Sequence, residues 1–320
     1  MGKITPADLK HAILDQVDPD RSRDLCFGTP DTWIVWQLTE GARHVSDASN
    51  AGVWGILDSD CTAARADLLE RLRIPESMLP EIVDSTGTVG EATALEGAPP
   101  ICGIAGDQQA SLIGQACVRP GLGKITFGTG GMLDVCTGDR PDFTGRGRNG
   151  THPLVLWRDA ARTVWGVEAV MLSAGTNVEW LRDDLGIIGD AAESEAVAAS
   201  VADSDGVTYV PALLGLGTPH WDYGARGTLL GLTRGSTSAH VVRAVLEGVA
   251  QRGADLVEAA EADCGLTLGT LRIDGGMAAN SVFVQALADA TGRRVEVAAV
   301  PEATTLGAGF LAGLEVGTWS

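Results

Sequence analysis

Lysine is almost missing from this 320-residue chain: Lys3, Lys10 and Lys124 are the whole supply, so twenty of the 23 basic residues are arginine. Against them stand 42 acidic residues, for a formal net charge of −19. That balance excludes nucleic acid as a partner, because binding a phosphate backbone needs clustered positive charge. An anionic substrate would have to be held by backbone N–H groups, helix N-termini or a metal ion. Long apolar runs are missing too. None approaches the roughly 18–20 residues that span a bilayer, and the start, Met1-Gly-Lys-Ile-Thr-Pro-Ala-Asp8, has no apolar signal core. No membrane span is expected, and a cytoplasmic location is. The six cysteines (Cys26, Cys61, Cys102, Cys117, Cys136, Cys264) form no Cys-x-x-Cys pair, and the five histidines have no His-x-x-x-His spacing. Neither a zinc site nor a disulfide framework is indicated; free, mostly buried thiols in a reducing compartment are expected.

What is present is globular: 45% apolar and 20% charged residues, with length for one large domain or two ordinary ones. A short helix is expected over 8–17. Asp31 or Thr32 can cap a second helix that turns Trp33, Ile34, Trp36 and Leu38 toward a core. An amphipathic helix follows over 62–73, and the pattern breaks at Pro99-Pro100. Ile101–Ala105 reads as a strand, Gly106–Gln109 as a turn, Ala110–Cys117 as a helix, and Arg119-Pro120-Gly121 as an interdomain link. Lys124–Phe127 and Met132–Cys136 read as strands around Gly128-Thr-Gly-Gly131, a hairpin signal. Strands are expected at 164–170, 207–210, 271–274 and 295–297. Helices are expected at 175–184, 191–202, 236–262, 281–291 and 303–315. Strands alternating with helices indicate an α/β fold.

Three short motifs could carry chemistry. Asp107 follows a strand and precedes a helix, where α/β proteins gather their sites. It could take a proton from a substrate hydroxyl, with Gln108 holding a second one; a simple helix cap explains it as well. Gly128-Thr129-Gly130-Gly131 would let backbone N–H groups approach a phosphate, or be only a tight hairpin. Asp274-Gly275-Gly276 leads from a strand into a helix start at Asn280, which suits a nucleotide, or close packing of strand on helix.

The order of the motifs is more specific than any of them. Phe27-Gly-Thr-Pro-Asp-Thr-Trp33, Gly103-Ile-Ala-Gly-Asp-Gln-Gln109, Thr126-Phe-Gly-Thr-Gly130, Trp180-Leu-Arg-Asp183, Trp221–Gly235, Asp274-Gly-Gly276 and Thr304–Gly313 follow one another. Together they resemble the FGGY family of carbohydrate kinases, and within it the glycerol kinases. Gly227 through Glu247 matches the family's second signature at every constrained position, and the resemblance covers almost the whole chain.

The resemblance implies an actin-like ATPase (ribonuclease H-like) fold of two domains. Residues 1–117 would be the end of the first, which is incomplete, and 118–320 most of the second, without its last helices. It implies Asp107 as general base and Gln108 as a polyol contact. Thr129 would touch nucleotide phosphates, Gly175 and Glu179 would sit near the nucleotide, and Gly276 and Asn280 would line the adenine-ribose end. ATP and Mg²⁺ would be the cofactors, the ion bridging phosphates with no protein ligand assigned. Glycerol or a similar polyol would be the substrate. Departures from the family pattern are Glu179 in place of the common Gln, Met132 in place of an aromatic, and the missing front end. From these, the chain alone is expected to phosphorylate glycerol poorly or not at all. Apolar surface would then be uncovered near Ile13, Leu14, Phe310 and Leu311. A homo-oligomer or a separately encoded N-terminal half could cover it. A pentulose kinase, and a non-catalytic nucleotide-binding remnant, stay open as alternatives.

Overall fold

The computed structural model describes residues 14–160 and 162–319. The chain divides into two compact units that are not continuous in sequence. Unit 1 takes the chain up to Gly114, Leu154–Trp165 and the end from Thr304; unit 2 takes Gln115–Pro153 and Gly166–Ala303.

In unit 1, β1 (Val45–Asp47) runs parallel to β2 (Glu81–Val83), and β3 (Thr86–Glu91) pairs antiparallel with β4 (Pro100–Gly103). The helix Pro30–Leu38 has Thr29 as its N-cap and proline at its first turn, which fixes the entry φ. Its orientation corrects the expectation. Thr32 and Val35 are buried, while Trp33 and Ile34 are 63% and 56% exposed. Apolar residues surround this helix, so no amphipathic stripe in the sequence marks its inner face. The expected helix over 8–17 lies mostly outside the described residues; Asp15–Val17 is helical. Leu14 and Leu311 are buried rather than uncovered. The helix Ala303–Glu315 comes so close to its neighbours that a Cβ on Gly307 would collide with the Ala110 carbonyl, and one on Gly103 with the Ala312 amide.

Unit 2 is organised on a six-stranded sheet ordered β12-β11-β5-β6-β8-β7. Its strands are β5 (Gly123–Phe127), β6 (Gly131–Gly138), β7 (His152–Arg158), β8 (Thr163–Met171), β11 (Thr270–Asp274) and β12 (Arg294–Val297). The unit boundary passes through β7 and β8. β5 and β6 form the expected hairpin, and β11 runs parallel to both β5 and β12. β9 (Thr208–Val210) and β10 (Thr228–Leu230) make a separate antiparallel pair.

Strand alternation puts Ile125, Phe127, Leu133, Val135, Leu271 and Ile273 into one core with the helices Ser238–Cys264 and Ser281–Thr291. Each such side chain contributes about 1.5–3 kcal/mol by leaving water. Phe127 meets Phe283 edge-on, ring centroids 4.8 Å apart. Thr237 and His240 close a reciprocal cap on the long helix, and Gly265 ends it at φ +68°. Two of the alternate residues of the hairpin, Lys124 and Asp134, are charged yet wholly buried. They are cross-strand partners, paired at 3.0 Å.

Candidate functional site

β4 delivers Ile104-Ala105-Gly106 to the helix Asp107–Gly114, so Asp107 is the first helical residue. It is exposed, and its Oδ1 accepts the Gln108 N–H at 2.9 Å; Gln108 is half-buried. An exposed carboxylate in this place can receive a proton from a bound hydroxyl.

The delivering loop is tied down at two points. Ile104 N–H donates to the Ser85 carbonyl at 2.9 Å, and Gly106 N–H to Ser49 Oγ at 2.9 Å. Both serine hydroxyls converge on Asp47: Ser85 Oγ donates at 2.6 Å and Ser49 Oγ at 3.0 Å. The same carboxylate accepts the Ser49 and Asn50 amides, each at 3.0 Å, and Asn50 Nδ2 at 2.8 Å, capping the helix Ala48–Ala51. Asp47 is 0% exposed. Burial pushes its carboxyl up from the ordinary aspartate range, and the donors of Ser85, Ser49 and Asn50 oppose that without cancelling it. Sequence reasoning missed this group. Asp47-Ala-Ser49-Asn50 is a readable capping pattern, but nothing local ties it to Ser85 or Gly106.

The five remaining candidates lie in unit 2. β5 and β11 are in register to Thr126 opposite Asp274, so the loops starting at Gly128 and Gly275 leave the sheet side by side. Gly275 has φ +88°, and a Cβ there would run into the Phe127 backbone, so only glycine fits. Gly128 and Gly276 instead face open space, with no atom within 4 Å of where a Cβ would be. The loop after β8 is stitched to the hairpin turn: Gly175 N–H donates to the Gly128 carbonyl at 2.8 Å and Ala174 N–H to that of Thr129 at 2.9 Å. A Cβ on Gly175 would meet the Gly128 carbonyl at 2.6 Å.

Thr129 is therefore exposed on a turn held by Gly175. Glu179 is exposed in the first turn of the helix Thr176–Asp183, which Gly175 begins. Asn280 is already employed. It caps the helix Ser281–Thr291 by accepting the Phe283 N–H at 3.0 Å, and its Nδ2 donates to Ser194 Oγ at 3.1 Å. Thr129, Gly175 and Gly276 thus line one edge of the sheet, Asn280 ends the short turn Gly276–Ala279, and Glu179 stands one turn along its helix. Among the described residues no group of three or more His, Cys, Asp or Glu could hold a metal ion.

Comparison with known proteins agrees with this architecture. Residues 9–114 match the N-terminal domain of the FGGY family of carbohydrate kinases, and residues 123–316 its C-terminal domain. Glycerol kinase of Trichlorobacter lovleyi is 49% identical over 313 residues, and that of Bordetella parapertussis 48% identical over 318. In both cases the match covers 96% of this chain and 62% of the relative. The crystal structure of Plasmodium falciparum glycerol kinase with ADP superposes with a TM-score of 0.85 at 31% identity, covering 96% of this chain and 62% of that one. A Brucella ovis xylulose kinase, 23% identical with a TM-score of 0.85, shares the fold over 99% of this chain and 65% of its own. The chain spans about three fifths of the length of the relatives it matches.

Proposed function

The chain belongs to the FGGY family of carbohydrate kinases, and on that footing we propose that the protein transfers the terminal phosphoryl group of ATP to a hydroxyl of glycerol or a related polyol. Asp107 serves as general base and Gln108 as a second polyol contact. The observation that carries this reading is the exposed Asp107 carboxylate at the end of a twice-anchored loop, in a chain 49% identical to a glycerol kinase. Glycerol is preferred over a pentulose because the relatives named as glycerol kinases share nearly half of its residues. The xylulose kinase named above shares only the fold.

The nucleotide belongs on the edge formed by Thr129, Gly175 and Gly276, with Glu179 and Asn280 beside it. Open space over Gly128 and Gly276 fits a phosphate or ribose laid against bare backbone. Mg²⁺ would arrive on the phosphates, where it neutralises charge during transfer. Asp107 would accept the hydroxyl proton as the oxygen attacks, and its loop fixes where that carboxylate stands. Met132, half-buried on β6, takes the place the family gives to an aromatic beside the polyol carbons, and its thioether can supply the apolar wall. Cysteines with no Cys-x-x-Cys spacing fit a reducing, cytoplasmic setting.

The test is transfer from ATP to glycerol followed by phosphorus NMR, which registers slow turnover. Asp107→Asn should lower the rate by about 10² or more, as loss of a general base does, and leave nucleotide affinity unchanged. Equal rates would remove Asp107 from the mechanism. No glycerol phosphate from the chain completed to the length of the relatives it matches, folded and nucleotide-bound, would overturn the reading.

A further inference from the structure

We propose that Ser49, held by the buried Asp47, is a positioning residue for the carboxylate of Asp107. This rests on the reading of Asp107 as the base, and it concerns how that base is aimed. The peptide N–H of Gly106, immediately before Asp107, has Ser49 Oγ as its acceptor at 2.9 Å. That oxygen cannot swing away, because its own proton is committed to Asp47 Oδ1 at 3.0 Å.

The other end of the loop is bound through the same carboxylate. Ile104 donates to the carbonyl of Ser85, and the hydroxyl of Ser85 donates to Asp47 Oδ2 at 2.6 Å. Ser85 is fixed further by accepting the Arg158 N–H on its hydroxyl at 3.1 Å and by donating its own N–H to the Arg158 carbonyl at 2.8 Å. Loop residues 104–106 therefore hang between two serines that share one acceptor. A Cβ on Gly106 would meet the side-chain oxygen of Gln109, which would have to move to admit it. The loop cannot shift without breaking a buried bond.

A helix cap alone explains Asp47 accepting the Ser49 and Asn50 amides. It does not explain a hydroxyl at Ser49 aimed at a backbone 57 residues away. Nor does it explain a second serine brought to the same oxygens from across the unit. Five donors reach the carboxylate, and none of them belongs to Asp107, which stays exposed. The buried aspartate sets position and the exposed one is left to react.

Ser49→Ala removes the acceptor of the Gly106 amide and keeps the volume, and Ser49→Thr restores a hydroxyl. Amide hydrogen exchange on the intact chain reads the loop directly. We expect Gly106 to exchange about 10-fold faster in Ser49→Ala, the change that corresponds to loss of one buried hydrogen bond. Amides of the helix Ser238–Cys264 should be unaffected, and Ser49→Thr should return Gly106 toward the parent rate. Glycerol transfer should fall by a similar factor in kcat, with KM for ATP unchanged, and recover in Ser49→Thr. Unchanged Gly106 exchange in Ser49→Ala, or exchange that speeds equally throughout the chain, would overturn the proposal. If the chain completed to the length of its relatives transfers nothing to glycerol, the function proposed above fails by itself, and the exchange measurement still decides whether Ser49 holds the loop.

Discussion

Lys124 and Asp134 face each other across β5 and β6, 3.0 Å apart and wholly buried, with Lys124 Nζ also donating to Thr126 Oγ1 at 2.8 Å. The residues alternating with them, Ile125, Leu133 and Val135, fill the main core. The hairpin that presents Thr129 thus carries an ion pair on one face and the core on the other. Breaking one side of a buried pair strands a charge, at about 3–5 kcal/mol, whereas replacing both by apolar residues is often neutral or favourable. Lys124→Met should therefore lower the urea midpoint of unit 2 strongly, and Lys124→Met with Asp134→Leu should recover most of the loss. A double variant no better than the single one would mean that the pair is needed for more than charge balance.

Tyr209 on β9 donates its hydroxyl to Asn177 Oδ1 at 2.8 Å, and burial pushes its pKa up to about 12. The sign follows from which state keeps the proton. Between the unfolded value near 10 and the folded value, the unfolded chain has lost a proton that the native one retains, so stability falls as pH rises. Two units correspond to about 2.7 kcal/mol at most. Urea midpoints should decline from pH 10 toward 12 in the parent and decline less in Tyr209→Phe. That variant should also start about 1–3 kcal/mol lower, since it leaves Asn177 Oδ1 buried without its donor.

The strand–glycine–helix passages were legible because turn chemistry and period agree there. The hairpin at 124–136 and the helices at 281–291 and 303–315 were readable to within a residue or two. Short strands were not. β1 and β2 have three residues each, too few for alternation to register, and their partners lie 36 residues apart. The helix Pro30–Leu38 was found, but its inner face was not, since Trp33, Ile34, Val35 and Trp36 give no polar side to read. Asp107 could be picked out as a candidate from its neighbours, but they fitted a helix cap as well, and only the order of motifs along the chain pointed to a base. The support given by Asp47, Ser49 and Ser85 could not be picked out, because it exists only once distant segments are folded together. The same holds for the packing of Gly307 on Ala110.

Asn280 has two roles that a pair of substitutions can separate. As the cap of the helix Ser281–Thr291 it should cost about 0.5–2 kcal/mol when changed to alanine. Asn280→Asp keeps the oxygen that accepts the Phe283 N–H and loses the donor now spent on Ser194. Stability should be nearly retained in Asn280→Asp. ADP affinity by calorimetry should still weaken several-fold if the amide donor serves the nucleotide end of the sheet. Full affinity in Asn280→Asp would confine the residue to capping.

Gly276 offers the cleanest test of where the nucleotide lies. Its neighbour Gly275 cannot be changed without harm, because φ +88° and the Phe127 backbone both forbid a side chain. Gly276 differs on both counts: its backbone is not left-handed, and a Cβ would point into open space. Alanine there should leave the stability from urea unfolding within about 0.5 kcal/mol of the parent, as for an ordinary surface change. A methyl standing where phosphate or ribose must touch bare backbone would nonetheless hold the ligand off. A loss of about tenfold in ADP affinity, roughly 1.4 kcal/mol, is expected from Gly276→Ala, and a similar loss from Gly128→Ala on the facing loop. Calorimetry on the intact chain gives both values. If affinity survives both substitutions, the nucleotide does not use the cradle between β5 and β11, and Thr129 and Gly175 lose their assignment with it.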